Sequence, residues 1–194
     1  MGNILDHLGV EYTVGIDEAA FYGPKLDIQI KNVFGKEDTL ITIQIDMLLA
    51  KKFGMEYVDS DNTMKTPYII HRTSLGCYER TLALLIEKYA GAFPVWLAPT
   101  QVKLLPIADR HLDYTYEVKA MLEQKGIRVE LDDRNEKIGY KIREARQVDR
   151  VPYMLIIGAK EVETQTVSVR DMATDQTVSM TLSEFVEKIN KEIA

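Results

Sequence analysis

The hydrophobic pattern of the chain changes near the middle, and this change limits the chain to two different kinds of domain. Over residues 25–31 and 38–47, apolar side chains alternate with polar ones, with an interruption at Leu40 and Ile41. This period of two is typical of antiparallel strands with one covered face. After residue 100, short apolar runs alternate with segments of helical spacing, which predicts a layered α/β domain.

A short segment with two prolines separates the two patterns. Residues 93–99 read Phe-Pro-Val-Trp-Leu-Ala-Pro. Because proline fixes its own backbone angle and breaks regular structure, the segment suits a short, stiff connection. Its apolar side chains indicate that it packs rather than moves freely. We therefore predict one domain over residues 1–98 and a second over residues 99–194.

The same periodicities predict the individual elements. In the first half we expect a third strand at residues 68–73 and a helix at residues 78–89, where apolar residues recur at spacings of three and four. In the second half we expect strands at residues 102–107, 127–131, 152–157 and 166–170, and helices at residues 109–125, 138–148 and 182–193. Thr181 and Glu184 match the capping box that begins a helix, which supports the last of these.

Composition excludes several classes of protein. No apolar run approaches the roughly 20 residues that span a bilayer, and the N-terminal residues show neither an export nor an organelle signal. The single cysteine, Cys77, cannot form an internal disulfide, which favours a reducing setting. We therefore expect a cytoplasmic protein with no membrane association.

Charge is distributed unevenly along the chain. The net charge of −6 does not by itself indicate a nucleic-acid binder. Residues 134–150 nevertheless carry six basic side chains against three acidic ones. Arg143, Arg146 and Arg150 follow one another at spacings of three and four, which places them on one face of the predicted helix. Such a patch can attract phosphate, but charge alone favours the alternative of a solvated helix face.

Two motifs in the first half allow a structural and a functional interpretation. Residues 21–25, Phe-Tyr-Gly-Pro-Lys, form either a simple turn or a turn that aims Tyr22 and Lys25 at a ligand. Arg80 lies in the first turn of its predicted helix, where the helix dipole disfavours a cation by a few tenths to ~1 kcal/mol. It could instead clamp a polyphosphate or stack on a nucleobase. These residues alone favour the structural interpretation.

Taken together and in order, the motifs resemble those of the threonyl-tRNA synthetases, a family of class II aminoacyl-tRNA synthetases. Residues 71–80 are similar to the third class II signature. Residues 21–25 resemble a segment upstream of it, and residues 93–99 resemble the join to the anticodon-binding domain. Residues 134–144 and 151–155 are close to that domain's characteristic run. The resemblance implies an α/β protein, with a partial antiparallel-sheet catalytic domain before an anticodon-binding domain whose mixed sheet is flanked by helices.

For the first domain, the resemblance implies residues that bind ATP and threonine. Arg80 would bind ATP, and Arg80 and Lys25 would have the catalytic roles. The side chains that line the substrate pocket would be Tyr22, Gln44 and Cys77.

The resemblance also implies part of a zinc site. His71 would be one of three protein ligands of a zinc ion that binds threonine through its amine and hydroxyl. Valine has the same shape as threonine but would leave a coordination position unfilled. The family's other two zinc ligands and its first two class II signatures lie upstream of the matched segments. We therefore expect this chain alone to lack zinc and to form no threonyl-adenylate.

For the second domain, the resemblance implies binding of tRNA(Thr) at its anticodon. The residues at matching positions are Asn135, Lys137, Arg143, Glu161 and Arg170. Unstacked bases offer edges that Asn, Glu and Arg can read, while Lys holds phosphate. The whole enzyme would be a homodimer that joins threonine to tRNA using ATP. Two alternatives stay open: a tRNA-binding, synthetase-like module without catalysis, and another class IIa member, for prolyl, histidyl or glycyl transfer.

Overall fold

The alternating segments of the first half form an antiparallel sheet, as predicted. The computed structural model describes residues 1–193. Three strands pair in the order β1-β2-β5, and a separate hairpin joins β3 to β4. The strands of this half are β1 (Lys25–Lys31), β2 (Glu37–Asp46), β3 (Tyr57–Val58), β4 (Met64–Lys65) and β5 (Ile69–Arg72). Its helices are α1 (Gly2–Leu8), α2 (Leu49–Lys52) and α3 (Tyr78–Tyr89).

Three of the five residues in the apolar stripe of α3 are exposed. Its members Tyr78, Leu82 and Ile86 have exposed fractions of 75%, 53% and 46%. The opposite face of the helix lines a cleft with β1 and β2 through the side chains of Arg80, Ala83, Leu84 and Glu87. The spacing of three and four predicts the helix correctly, but it does not predict which face of the helix lies toward the sheet.

The second half forms a five-stranded mixed sheet flanked by helices, which confirms the predicted fold class. The strand order is β10-β9-β8-β6-β7, with β7, β6 and β8 parallel and the last two strands antiparallel. The strands are β6 (Val102–Pro106), β7 (Val129–Leu131), β8 (Tyr153–Ile157), β9 (Thr166–Asp171) and β10 (Thr177–Thr181). The helices are α4 (Leu112–Gln124), α5 (Ile138–Gln147), α6 (Ala159–Thr164) and α7 (Leu182–Ile193).

Helices cover both faces of this sheet, and a core lies on each side. One core joins Val118 of α4 and Phe185 of α7 to the strands. The other packs Ala145 of α5 against Leu105 and Met154. All five residues of β6 are buried, as expected for a central parallel strand that is covered on both faces.

The chain divides into two compact units after Lys88. The proline-bracketed segment belongs to the second unit, where Val95 and Ala98 are buried. The Gln101 side-chain amide donates to the Val95 carbonyl at 2.9 Å. The segment therefore packs, as its apolar residues indicate. Within residues 1–193, none of the helices combines the length and the apolar character needed to cross a bilayer.

The start of α7 and the end of α5 can be compared with the sequence predictions. The predicted capping box is confirmed, because the Glu184 carboxylate accepts the Thr181 main-chain N–H at 2.8 Å and the Thr181 hydroxyl accepts the Glu184 N–H at 3.3 Å. The prediction that Arg143, Arg146 and Arg150 share a helix face is wrong. Helix α5 ends at Gln147, and Arg150 has a φ of 51°, a left-handed conformation that a right-handed helix cannot include.

Candidate functional site

Three of the predicted site residues form one row across the sheet of the first unit. Lys25 of β1 lies opposite Gln44 of β2, and Gln44 lies opposite His71 of β5. Residues directly opposite in antiparallel strands place their side chains on the same face. The pairing register therefore brings together side chains that are 19 and 27 positions apart in the sequence.

The turn at residues 21–25 adds Tyr22 to this row. The Tyr22 hydroxyl donates a hydrogen bond to the Gln44 side-chain oxygen. The turn is held against β2 because the Ile45 N–H donates to the Pro24 carbonyl and the Met47 N–H donates to the Tyr22 carbonyl, both at 3.0 Å. Gly23 has a φ of 153°, and a Cβ there would lie 2.0 Å from the Ile45 carbonyl oxygen. Only glycine fits this close approach of two backbones.

Lys25 is held as a cation. Its ammonium lies 2.7 Å from the Asp27 carboxylate. This hydrogen bond and the accompanying charge attraction raise the pKa of Lys25 above its usual value. The Lys25 and Asp27 side chains are 32% and 15% exposed, so an anionic ligand can still reach the ammonium.

His71 lies between an aromatic ring and a buried carboxylate. Its ring centroid is 5.7 Å from that of Tyr22, and its Nε2 is 3.0 Å from the Asp46 Oδ2. Asp46 is fully buried. Burial raises the pKa of Asp46, but hydrogen bonds from the Leu49 N–H, His71 and the Leu48 N–H outweigh it and leave that pKa below its usual value. The carboxylate is therefore charged at neutral pH.

Arg80 and Cys77 form hydrogen bonds with residues outside the row. The Arg80 guanidinium donates to the Thr39 carbonyl at 3.0 Å and lines a cleft of about 80 Å³ beside β1 and β2. The Cys77 thiol donates to the Glu79 carboxylate at 2.9 Å. Among the described residues, neither side chain is hydrogen-bonded to Lys25, Gln44 or His71.

In the second unit, the loop that follows β7 is organised by two charged residues. The bidentate Arg134 guanidinium contacts Asp132 at 2.9 and 2.7 Å and also contacts Glu144. The Arg134 contacts lower the pKa of Asp132 despite its burial. The buried Lys141 ammonium donates to the carbonyls of Asp132 at 2.9 Å and Pro106 at 3.4 Å. These carbonyls lie at the carboxyl ends of neighbouring parallel strands, the edge at which α/β sheets bind ligands.

Three of the predicted anticodon residues are exposed on or beside this loop. Asn135 and Lys137 lie in it, and Arg143 lies on α5. Within residues 1–193, these three side chains make no hydrogen bond or ion pair. They are therefore available to an external ligand without the loss of an internal contact.

Glu161 has a different environment from these exposed residues. It is 8% exposed. One carboxylate oxygen accepts the Gly158 N–H at 2.9 Å, and the other accepts the Ser168 hydroxyl at 2.8 Å. Burial raises the pKa of Glu161, but these hydrogen bonds outweigh it and lower the pKa overall. Both oxygens of this predicted base-reading residue are already used inside the domain.

Arg170 shares a carboxylate with a second arginine. The Arg170 guanidinium contacts Asp175 Oδ1 at 2.7 Å, and Arg146 contacts Asp175 Oδ2 at 2.9 Å. Arg150, the third member of the predicted helix face, instead donates to the Ala90 carbonyl. Of the three arginines proposed for phosphate contact, Arg143 alone has no internal partner among the described residues.

Two family models match the chain, one in each unit. The model described as the tRNA synthetase class II core domain (G, H, P, S and T) matches residues 1–89, and the model described as the anticodon binding domain matches residues 101–192. The chain therefore combines parts of two domain families, the class II tRNA synthetase core and the anticodon-binding domain. The predicted family is thus confirmed, and the two matches fall on the two sheets described above.

The relatives of this class II chain agree with the predicted threonyl type. A threonine--tRNA ligase of Clostridium perfringens (strain SM101 / Type A) is 60% identical over 194 residues, which are 100% of this chain and 30% of the relative. One of Clostridioides difficile (strain 630) is 52% identical over 189 residues, which are 97% of this chain and 29% of the relative. The chain thus spans 30% or less of the length of these curated relatives.

Solved structures agree with this class II fold. A crystal structure of the RNA binding domain of threonyl-tRNA synthetase from Cryptosporidium parvum Iowa II has a TM-score of 0.87 and 32% identity, covering 98% of this chain and 48% of that one. A prolyl-tRNA synthetase from Cryptosporidium parvum has a TM-score of 0.74 and 24% identity, covering 91% of this chain and 38% of that one. The second likeness shows the fold alone.

Sequence reasoning about this class II chain missed Asp46. Its signal was present, because Asp46 follows Gln44 by two positions and so lies on the same face of β2. In the sequence it reads as one more polar residue in an alternating strand. Its burial and its contact with His71 depend on the pairing of β2 with β5, which no local pattern specifies.

Proposed function

We propose that this chain is part of a ligase that activates threonine with ATP and transfers it to tRNA(Thr). Residues 1–98 would belong to the catalytic domain, and residues 99–194 would form the anticodon-binding domain. The observation that carries the proposal is the row of Lys25, Gln44 and His71 beside Tyr22. A cation, an amide, an imidazole and a phenol on one face suit a small polar substrate with an anionic partner.

Each of these side chains has a task in the reaction. When the threonine carboxylate attacks the α-phosphate of ATP, pyrophosphate leaves and negative charge develops on the phosphoryl oxygens. The Lys25 ammonium would stabilise that charge. Arg80 would bind ATP, since a guanidinium suits both phosphate and the face of a nucleobase. Tyr22, Gln44 and Cys77 would orient the amino acid.

His71 would serve as one of three ligands of a zinc ion. Its contacts suit this role, because a ligating histidine usually donates its second ring N–H to a carboxylate, as Asp46 permits. Bound zinc would supply coordination positions for the amine and hydroxyl of threonine, which valine cannot fill. Residues 1–193 hold no group of three or more His, Cys, Asp or Glu side chains arranged for a metal, and the proposal assigns the other two ligands to parts of the protein outside these residues.

The test of the catalytic proposal is threonine-dependent exchange of pyrophosphate into ATP by the intact protein. Lys25→Ala should lower kcat by roughly 100-fold or more, as the loss of one charge-stabilising group does. Lys31→Ala is the matched control, because Lys31 lies exposed at the other end of the same strand. Valine should support little exchange. Equal rates for the two lysine variants, or no exchange by the wild-type protein, would refute the proposal.

For the second domain, we propose that Asn135 reads an anticodon base while Lys137 and Arg143 bind phosphates. Their exposure supports this assignment, since each can contact RNA without breaking an internal contact. Asn offers a paired donor and acceptor to a base edge, whereas Lys and Arg offer charge.

Glu161 and Arg170 belong to the same proposal, but each would have to give up an internal contact in order to bind RNA. A base that pairs with Glu161 must displace the Gly158 N–H or the Ser168 hydroxyl. A base that pairs with Arg170 must compete with Asp175. We therefore propose that Glu161 chiefly holds the turn at residues 158–161, and that Arg170 contacts RNA after exchanging Asp175 for it.

Titration of anticodon stem-loops at two salt concentrations separates these roles. Lys137→Ala and Arg143→Ala should each weaken the binding of all stem-loops about equally. Each should also reduce the slope of log K against log salt concentration by about 1. Asn135→Ala should instead reduce the difference in binding free energy between the stem-loop with the threonine anticodon and the other stem-loops by roughly 1–3 kcal/mol. Lys125→Ala, after α4 and near the amino end of β7, is the control and should change neither quantity. A wild-type domain that binds every anticodon alike would contradict the assignment.

We further propose that the whole protein works as a homodimer in the cytoplasm. The single Cys77, exposed and unpaired, supports a reducing compartment. Sedimentation equilibrium of the intact protein tests the oligomeric state, and a monomer at micromolar concentration would contradict it.

A further inference from the structure

The fully buried Asp46 carboxylate uses both of its oxygens. Oδ1 accepts the main-chain N–H groups of Leu48 at 2.9 Å and Leu49 at 2.8 Å, where helix α2 begins. Oδ2 lies 3.0 Å from the Nε2 of His71. Because two backbone donors hold Oδ1, the carboxylate plane is fixed and Oδ2 has one direction available to it.

This arrangement determines the position of a proton on His71. An ionised carboxylate accepts hydrogen bonds and cannot donate one. The neutral imidazole must therefore carry its proton on Nε2, which leaves the lone pair on Nδ1. Within residues 1–193, the Nδ1 of His71 makes no hydrogen bond. The side chain is 43% exposed, so this nitrogen is accessible. The ring thus offers one unprotonated nitrogen to an external electrophile.

We propose that Asp46 is a positioning residue: it holds His71 in the Nε2–H tautomer, so that Nδ1 is the nitrogen that binds the metal. The link to the metal rests on the zinc role proposed for His71. The tautomer itself follows from the contacts of this chain. Asp46 cannot be a ligand in this arrangement, because both oxygens are buried and occupied.

Asp46→Asn tests the tautomer with little change of shape. The Leu48 and Leu49 N–H groups need an acceptor, so the Asn oxygen should face them as Oδ1 does now. The amide NH₂ then faces the His71 Nε2 and donates to it, which moves the ring proton to Nδ1. The helix cap is preserved while the tautomer is reversed, so a merely structural role for Asp46 would not produce this change.

Imidazole ¹⁵N spectra report the tautomer directly. They are recorded on the intact protein without metal, at about pH 9, well above the ordinary imidazole titration range. The wild-type His71 should show the Nε2–H pattern and Asp46→Asn the Nδ1–H pattern. Asp59→Asn is the control for loss of a carboxylate in the same unit, since Asp59 contacts Lys65 and, within residues 1–193, no histidine. An Nδ1–H wild type, or a tautomer unchanged by Asp46→Asn, would overturn the proposal.

Zinc titration of the intact protein then tests the metal link. Asp46→Asn should weaken zinc binding by about 10–100-fold, the usual effect of losing a carboxylate behind a ligating histidine, while Asp59→Asn should not. A reversed tautomer with unchanged zinc affinity would refute Nδ1 as the ligating atom. If the wild-type protein binds no zinc but shows the Nε2–H tautomer, the proposed zinc role fails and the positioning of His71 by Asp46 stands.

Discussion

The two units of this chain are organised by different physical means. Among residues 1–193, twenty apolar residues are buried; nineteen of them belong to the second unit, and Ala50 belongs to the first. In the first unit, large apolar side chains such as Phe21 and Phe34 are 86% and 88% exposed. The row of Lys25, Gln44 and His71 is instead held in place by strand register, a glycine turn and a buried carboxylate. A site can therefore be ordered locally where little apolar surface is buried.

The largest expected difference between the units concerns apolar side chains. Phe185→Ala, at a fully buried position in the second unit, should lower the free energy of unfolding by about 3–5 kcal/mol, because it leaves a cavity. Phe34→Ala, at an exposed position in the first unit, should change it by less than about 0.5 kcal/mol. Urea unfolding followed by circular dichroism measures both. Similar losses in the two variants would contradict the contrast.

The next effect concerns backbone fit in the first unit. Gly23→Ala should push the turn away from β2, because its Cβ would meet the Ile45 carbonyl oxygen. Backbone strain of this kind costs about 1–3 kcal/mol, so amide exchange at Ile45 and Met47 should become roughly 10- to 100-fold faster. Hydrogen exchange measured by NMR provides the rates.

Gly35→Ala is the matched control for this prediction. Gly35 also has a positive φ, of 75°, but within residues 1–193 no heavy atom beyond its two chain neighbours lies within 4 Å of a Cβ built there. Its substitution should cause strain in its own turn and leave the Ile45 and Met47 amides protected. Equal exchange rates in the two variants would show that the close approach at Gly23 does not organise the site.

A smaller effect should come from the charged loop of the second unit. The Arg134 contacts lower the pKa of Asp132 in the folded state. This pair therefore stabilises the fold fully above the unfolded pKa of about 3.9, and the stabilisation is lost as the pH falls through the lower folded pKa. Because the Arg134 side chain is 48% exposed, solvent screens the pair and the loss should be on the order of 1 kcal/mol.

Urea unfolding at pH 7 and at about pH 3, below the ordinary carboxylate pKa, measures this contribution. Asp132→Asn should lose less stability over this interval than the wild type. Asp133→Asn, next in the chain and without an ion pair in the described structure, should behave like the wild type. Identical pH dependence in all three proteins would show that Asp132 does not contribute.

The smallest effect concerns surface charge on α5. Arg146→Ala removes a contact with Asp175 in which both side chains are nearly half exposed, so the free energy of unfolding should fall by less than about 1 kcal/mol. The loss of stability should be smaller in about 1 M salt, because the Debye screening length is then only about 3 Å. Arg143→Ala should have no measurable effect on stability, because Arg143 has no internal partner among the described residues. A larger effect at Arg143 would contradict the division between folding and binding residues.

Sequence reasoning predicted most of the strands and helices because their signals are local. Alternation predicted β1 and β2, a short third strand was predicted at β5, and apolar runs predicted β6 and β8. Short elements were missed, including α6 and β10, because five or six residues carry too little pattern to stand out. Strand β10 has five residues, three of them polar, and it pairs with β9 as an antiparallel hairpin in which Met180 packs against the core.

Candidate residues were recognised by motif, but their accessibility was not. Asn135 and Glu161 look equally suited to reading a base, yet one is exposed and the other is buried with both oxygens bonded. Periodicity gives the faces of an element but not the neighbour that each face meets. For the same reason, the apolar stripe of α3 was recognised although its exposure was not.

By itself, the sequence determined the class of each half, the capping box of α7 and the order of the family motifs, because each of these depends on neighbouring residues in the chain. Tertiary structure alone decided which distant side chains meet. The register of β1, β2 and β5 placed Lys25, Gln44 and His71 in one row, and it buried Asp46 against His71. A strand shifted by one residue would turn these side chains to the other face, and the choice between registers is made by pairing energy summed over the whole sheet, which no single segment contains.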